Sequence, residues 1–309
     1  MNAAPATRAF APATVANLGP GFDILGAALE GPGDAVTARL SDEPGARLVS
    51  QTGVVVGGDP ARNTAVIAAK AVLAACRSER GVELSLEKGL PIGSGLGSSA
   101  ASAAAAALAV SVLLGSPLDE RALILCALEA EAKVSGRHAD NVAPALLGGI
   151  VLVRSLEPLE VVRLPVPAAL TFAVVTPQIT LLTRDARAVL PAQISLPEHT
   201  RGTAQVAGLV TALHSGDLGL LSRCLDDALV TPARLPLIRG GRSALDAARE
   251  AGALGGSISG SGPSLFAVCD SRESAQRCRD AMITAFEAAG VAASGVVSSA
   301  DCSGARVHE

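Results

Sequence analysis

Three glycine-rich stretches carry most of the residues in this chain that could do chemistry. The most specific is Pro91-Ile-Gly-Ser-Gly-Leu-Gly-Ser-Ser-Ala-Ala-Ser102. Glycines alternate at 93, 95 and 97, which frees the backbone for positive φ and close approach. Ser98 and Ser99 then open an Ala-rich run that reads as a long helix. The free N–H groups and positive dipole end of a helix start make an anion site, and a polyphosphate is its natural guest. The competing reading is a plain strand–helix connector. A Walker A loop needs Gly-Lys-Ser/Thr after its glycines, but Ser98 follows Gly97 and the nearest lysine, Lys88, precedes the loop. A Rossmann fingerprint needs a third glycine where Ser98 stands and an acid ending a strand about 20 positions on. Asp119 instead begins a helix.

The second stretch is Ala11-Pro-Ala-Thr-Val-Ala-Asn17-Leu-Gly-Pro-Gly21-Phe-Asp23-Ile-Leu-Gly26. It reads as a strand running into a Gly/Pro turn that presents Asn17 and Asp23 as fixed polar contacts to a ligand. The third is Gly255-Gly-Ser-Ile-Ser-Gly260-Ser-Gly262-Pro-Ser-Leu-Phe266, a turn between strands where backbone can approach backbone or ligand. Either could serve only as a tight turn.

The elements that must position these stretches follow from periodicity and punctuation. Strands are expected at Ala9–Ala13, Ala35–Leu40, Ala46–Val56 and Val82–Glu87, and a helix from Asn63 to Arg77 with Asn63 as N-cap. Helices should follow the loop from Ser98 to Leu114 and from Leu118 to Val134. Strands Gly149–Arg154 and Leu159–Leu164 lead to Pro165-Val-Pro167, the best linker in the chain. Beyond it come a strand at Leu170–Thr176, a helix at Thr183–Leu190, helices from Pro197 to Leu229 and a helix near Arg242–Ala251. Strands Leu254–Ser259 and Leu265–Cys269, a helix Arg272–Ala289 and a strand Val291–Ser298 complete the order. Strands, then helices, then strands without strict alternation indicate an α+β fold.

Composition narrows the functions. The chain has 309 residues, with five Phe, no Tyr and no Trp. It therefore lacks the stacking platforms of single-strand nucleic-acid binders and the makings of an aromatic cage. The net charge of −4 has the wrong sign for a nucleic-acid footprint. The mean hydropathy of +0.42 invites a membrane reading, yet the most apolar run, Ala100–Leu114, is short of the roughly 20 residues a span takes. No signal peptide is expected. Cysteines at 76, 126, 224, 269, 278 and 302 form neither a CxxC nor a metal spacing, which suits a reduced, cytoplasmic protein.

Together, and in this order, the three stretches resemble the motifs of the GHMP kinase superfamily. Residues 91–99 match the family's Pro-x-Gly-x-Gly-Leu-Gly-Ser-Ser throughout. Within it, Asn17-Leu-Gly-Pro-Gly-Phe-Asp23, Glu131-Ala-Lys-Val-Ser-Gly-Arg-His138-Ala-Asp140-Asn141 and Thr183-Arg-Asp-Ala-Arg187 resemble the homoserine kinase family. The resemblance covers nearly the whole chain. It implies a domain like ribosomal protein S5 domain 2 over residues 1–164 and a ferredoxin-like domain over 165–309, with the site between them. It also implies transfer of a phosphoryl group from ATP, with Mg²⁺, to the hydroxyl of L-homoserine, on the branch to threonine. Alternatives are a GHMP kinase of the mevalonate, shikimate or sugar type, or a non-catalytic binding protein of the same fold. The resemblance leaves room for a homodimer.

Residue roles implied by the resemblance follow the chemistry. Pro91, Ile92, Gly93, Ser94, Gly95, Leu96, Gly97, Ser98 and Ser99 would cradle the phosphates. Asn63 would contact an adenine held by aliphatic side chains. Ser98 and Glu131 would hold Mg²⁺, with Glu129 as the fallback carboxylate. The homoserine carboxylate would meet Arg187 and Arg234, which grip carboxylates bidentately, and its ammonium would meet Asp23. Asn17, His138, Asn141 and the Gly260 backbone would complete the pocket. The implied catalytic groups are Asn141, Asp23 and Thr183. The hydroxyl would lose its proton late, to a γ-phosphate oxygen, with Asp140 and Asp23 as rival bases. Arg239 and Arg242 would be spare cations near the substrate mouth.

Overall fold

The computed structural model describes residues 5–115 and 118–308. The chain opens with β1 (Ala6–Ala16), β2 (Leu25–Ser41) and β3 (Ala46–Gly53), followed by α1 (Thr64–Ala75) and β4 (Gly81–Lys88). Next come α2 (Ser98–Leu113), α3 (Glu120–Val134), α4 (Val142–Leu147), β5 (Ile150–Leu156) and β6 (Leu159–Leu164). The second half holds β7 (Thr171–Pro177), α5 (Thr183–Ala188), α6 (Leu196–Ser215), α7 (Leu218–Cys224), α8 (Val230–Arg234) and α9 (Gly241–Glu250). It ends with β8 (Gly255–Ile258), β9 (Leu265–Cys269), α10 (Arg272–Ala288), β10 (Ala293–Ser299) and β11 (Arg306–His308).

Two sheets result. The first runs β11-β1-β2-β4-β3, with β5 on β2 and β6 on β5. The second runs β10-β7-β9-β8, the 4-1-3-2 order of a ferredoxin-like unit. The first sheet takes strands from residues 6–164 and also from Arg306–His308, which pair with Arg8–Phe10 of β1. The chain therefore returns to its first sheet after building the second.

Alternation along β7 explains how the layers join. Phe172 and Val174 belong to the core shared with the first sheet and α2. Ala173 and Val175 face the other way, into a core with Met282 and Phe286 of α10. A period of two thus buries both faces of the second sheet. At the centre of the shared core lies α2, whose alanines 100, 101, 103–107 and 109 are fully buried. A helix apolar all round belongs in a core, and methyl side chains let β1 and β2 close on it.

Several sequence expectations change here. The strand expected at Ala35–Leu40 is the second half of β2; Gly26, Gly31, Pro32 and Gly33 conceal its first half. Both halves pair with β1; on the other side the first half pairs with β5 and the second with β4. The helical stretch expected to reach Leu229 ends at Cys224, and Val230–Arg234 forms a separate helical turn. The strand β11 has only three residues, too few to register as a pattern. Among the described residues no helix is long and apolar enough to cross a membrane.

Candidate active site

A cleft of about 480 Å³ lies where the three glycine-rich stretches meet. Of the residues given a role in the site from sequence, all line it except Pro91, Leu96, the fallback carboxylate Glu129 and the spare cations Arg239 and Arg242. Leu96 is buried in the core, and its carbonyl accepts the Thr14 amide at 3.1 Å. The Pro91 carbonyl accepts the Ser94 hydroxyl at 2.9 Å. Both shape the loop from behind.

The first wall is the loop and the start of α2. Gly97 is the N-cap, in the left-handed region at φ +64°, and supplies no side-chain cap. The first-turn amides of α2 are therefore free of side-chain capping, which suits an anion. Gly95 has φ +79°, and a Cβ there would lie 2.5 Å from the Ser259 carbonyl oxygen. Only glycine lets the first-half loop touch the turn of the second half. Ser259 Oγ donates to the Gly95 carbonyl at 2.6 Å, and the Ser264 amide donates to the Ser94 carbonyl at 3.1 Å. Asn63 sits beside this wall. Its Oδ1 accepts the Ala65 amide at 2.9 Å and caps α1. A second hollow bounded by Leu48, Val49, Val56, Arg62 and Asn63 adjoins the cleft, and it contains no aromatic residue.

The second wall is charged. Arg187 Nη1 and Nη2 grip Asp23 Oδ2 and Oδ1 at 3.2 and 2.9 Å. His138 Nδ1 lies 3.3 Å from Asp23 Oδ2. Burial pulls the His138 pKa below its ordinary value, so the ring is neutral at pH 7. Asp23 itself has φ +60°, and its amide donates to Asn17 Oδ1 at 3.1 Å. Asn17 Nδ2 donates to the Gly260 carbonyl at 3.1 Å. Arg234 is 2% exposed; it donates to the same Gly260 carbonyl and to that of Ala186, each at 2.9 Å. Both guanidinium carbons lie over the Phe22 ring, at 5.3 Å for Arg187 and 5.2 Å for Arg234. Stacking of this kind orients a guanidinium plane. The Nε of Arg187 is buried and has no hydrogen-bond partner among the described residues.

Two carboxyl groups lie deeper. Glu131 is 6% exposed. It accepts the Ser99 hydroxyl at 2.8 Å and also that of Ser135, while burial raises its pKa. Ser98, the hydroxyl paired with Glu131 on the resemblance, donates instead to the Leu90 carbonyl at 3.2 Å. The helical turn accounts for the exchange, because successive residues point about 100° apart. Glu129 is on the outer face, 56% exposed and 3.8 Å from Arg137. Asp140 is 3% exposed; burial, reinforced by the charges of Asp23 and Glu131, pushes its pKa up to about 7. Asn141 accepts the Thr14 hydroxyl at 2.7 Å, and Thr183 Oγ1 lies 3.5 Å from Ser261 Oγ.

Arg239 and Arg242 do not line the cleft. The Arg239 guanidinium lies against Gly290 past the end of α10, so the spare cations expected at the mouth are elsewhere. Conversely, sequence reasoning missed Thr14, the role of Phe22 against two arginines, and the group around Asp34, Lys88 and Ser102. Phe22 could have been noticed as the lone aromatic in its motif; Asp34 carries no local signal.

Comparison with known proteins shows the family. A family model described as GHMP kinases N terminal domain matches residues 63–149, and one described as GHMP kinases C terminal matches 209–288. The chain is 47% identical over 289 residues to the homoserine kinase of Arabidopsis thaliana, covering 90% of this chain and 78% of that protein. The chain belongs to the homoserine kinase family of GHMP kinases. The homoserine kinase of Halobacterium salinarum is 43% identical, covering 92% of this chain and 91% of that one. The crystal structure of homoserine kinase from Cytophaga hutchinsonii superposes with a TM-score of 0.95 at 44% identity, covering 100% and 99% of the two chains. As a homoserine kinase family member, the chain is a kinase that takes ATP as substrate.

Proposed function

We propose that the chain transfers the γ-phosphoryl group of ATP to the side-chain hydroxyl of L-homoserine, giving ADP and O-phospho-L-homoserine on the way to threonine. One observation carries this reading: an uncapped, glycine-lined helix start shares a cleft with two arginines and an aspartate packed around Phe22. The first suits a polyphosphate and the second a small zwitterion. The Asp23–Arg187 pair presents opposite charges side by side, as a bound α-amino acid does. The partnerless Nε–H of Arg187 supports a carboxylate guest, because a buried donor left unpaired costs about 1–3 kcal/mol.

Phosphoryl transfer asks a protein for positioning and charge stabilisation more than covalent chemistry. In this reading the amides of residues 93–99 hold the phosphates, and the hollow beside Asn63, where Leu48, Val49 and Val56 stand among polar Ser50, Gln51 and Asp59, takes the adenine. Arg187 and Arg234 hold the carboxylate, and Asp23 the ammonium. Asn17, His138 and the Gly260 carbonyl brace those groups, while Asn141 and Thr183 orient the hydroxyl and the transferred phosphate. The oxygen set of buried Glu131 and half-buried Ser99 and Ser135 fits a hard cation. Glu131 and Ser99 would hold Mg²⁺, with Ser98 shaping the loop behind them. Held there, the ion would offset the negative charge of the phosphates.

The hydroxyl proton leaves late, to a phosphate oxygen. A second reading gives it to Asp140, favoured by one observation: a carboxyl in the cleft with a pKa near 7, where a general base works best. We further propose that the functional division of the chain falls between residues 164 and 165, with only the β11 strand Arg306–His308 returning to the first sheet. The test is ATP consumption with homoserine, mevalonate, shikimate and serine in parallel. Homoserine should be the best substrate; faster turnover of another would refute the specific assignment.

A further inference from the structure

We propose that the buried Asp34–Lys88 pair is a positioning device for ATP: it ties both ends of the phosphate loop to β2 and sets nucleotide affinity without touching the nucleotide. The inference rests on ATP being the guest of that loop.

Asp34 has no exposed surface and Lys88 is 4% exposed. They face each other across the β2–β4 ladder and are ion-paired. Asp34 Oδ1 accepts the amides of Gly89 at 3.0 Å and Leu90 at 3.2 Å, where the loop leaves β4. Asp34 Oδ2 accepts the Ser102 hydroxyl at 2.6 Å. Lys88 Nζ donates to the Ser98 carbonyl at 2.7 Å, where the loop enters α2, and to Ser102 Oγ at 3.1 Å. Ser98 Oγ closes the ring on the Leu90 carbonyl. Entry and exit of the loop are thereby held by one carboxylate and one ammonium.

The proton inventory separates bracing from phosphate contact. An ammonium has three hydrogens, and those of Lys88 are taken by Asp34, Ser98 and Ser102. None remains for a phosphate, although Lys88 lies at the floor of the cleft. A buried ion pair is poor evidence for stability, and its better-attested use is to specify one arrangement among several. Here the arrangement specified is that of the amides in residues 93–99. A Walker-type lysine follows its glycines and reaches the phosphates; this one precedes them and holds the loop from beneath.

The test uses the full chain, with MgATP and homoserine binding measured by calorimetry and folding checked by far-UV circular dichroism and melting. Asp34→Asn and Lys88→Met should each weaken ATP about tenfold or more, the scale of losing hydrogen bonds to charged groups, and leave homoserine affinity within about twofold. Because they act through one device, the double variant should be no weaker than the worse single. Ser102→Ala removes one bond from each partner and should fold even if the charge variants do not; it should weaken ATP about threefold. Loss of ATP binding in Lys88→Met with undiminished binding in Asp34→Asn would mean that Lys88 contacts phosphate directly, and would overturn the proposal. Unchanged ATP affinity in Ser102→Ala and in whichever charge variant folds would overturn it too. A wild-type chain that bound no ATP would instead refute the assignment of the loop itself.

Discussion

Asp140→Asn tests the electrostatics of the cleft most directly. Burial holds the Asp140 proton in the folded chain up to about pH 7, against 3.8 for the ordinary group. Below the lower value both states are protonated and the residue contributes nothing to pH dependence. Between the two values only the native state keeps the proton, so stability falls as pH rises, by about 1.4 kcal/mol per pH unit. Above about pH 7 both states are ionised and the loss is complete. Accumulated over the interval from 3.8 to about 7, it amounts to roughly 4 kcal/mol, an upper figure for a residue whose surroundings relax. The amide keeps the shape of the carboxyl and carries no charge at any pH. In urea melts with EDTA present, variant and wild type should coincide near pH 4 and separate steadily above it. By pH 8 the variant should be more stable by about 2–4 kcal/mol. Curves that stay parallel from pH 4 to 8 would refute the reasoning. If Asp140 also accepts the hydroxyl proton, the rising limb of kcat near pH 7 should vanish in the same variant; a limb that persists leaves the phosphate oxygen as acceptor.

Other outcomes follow from the same geometry. Arg187→Lys keeps the charge but loses the two-pronged grip on Asp23, and should raise KM for homoserine roughly 10- to 100-fold with a smaller effect on kcat. Ser99→Ala should raise the Mg²⁺ concentration needed for half-maximal rate, whereas Ser98→Ala should change it much less, because of these two neighbouring serines it is Ser99 that reaches Glu131; equal effects would contradict this. Gly97→Ala would put a Cβ 2.0 Å from Thr14 Oγ1 at φ +64°. Left-handed strain of about 1–2 kcal/mol and loss of the Thr14–Asn141 bond should lower the melting temperature and the turnover together.

Much of the site was legible because its motifs are local. The loop 91–99, the Asn17–Asp23 turn and the Gly255–Phe266 turn each announce themselves by glycine spacing within about a dozen residues, and their order along the chain carried the family resemblance. Elements with a clear period or a clear start were legible as well: α1, α3, β4 and α10 fall close to where their patterns place them, and α2 where the glycine loop and the Ala-rich run place it. The first half of β2 was not, because glycine and proline usually punctuate strands and here they lie inside one. Which hydroxyl meets Glu131 was not legible either, since Ser98 and Ser99 are alike in chemistry and differ only in the direction each takes from the helix.

The sequence by itself determined an α+β chain with an aliphatic core, a phosphate-type loop at the start of an Ala-rich helix, and a set of charged residues suited to a small zwitterion. Tertiary structure alone decided how those parts act on one another. Asp34 becomes the anchor of the phosphate loop only because β2 lays it opposite Lys88. Phe22 comes to lie against the guanidinium groups of both Arg187 and Arg234 only because α5 and α8 converge on the first turn. Asp140 reaches a pKa near 7 through burial, together with the charges of Asp23 and Glu131. Burial and the distance between charges depend on how distant segments pack, and no local pattern encodes them.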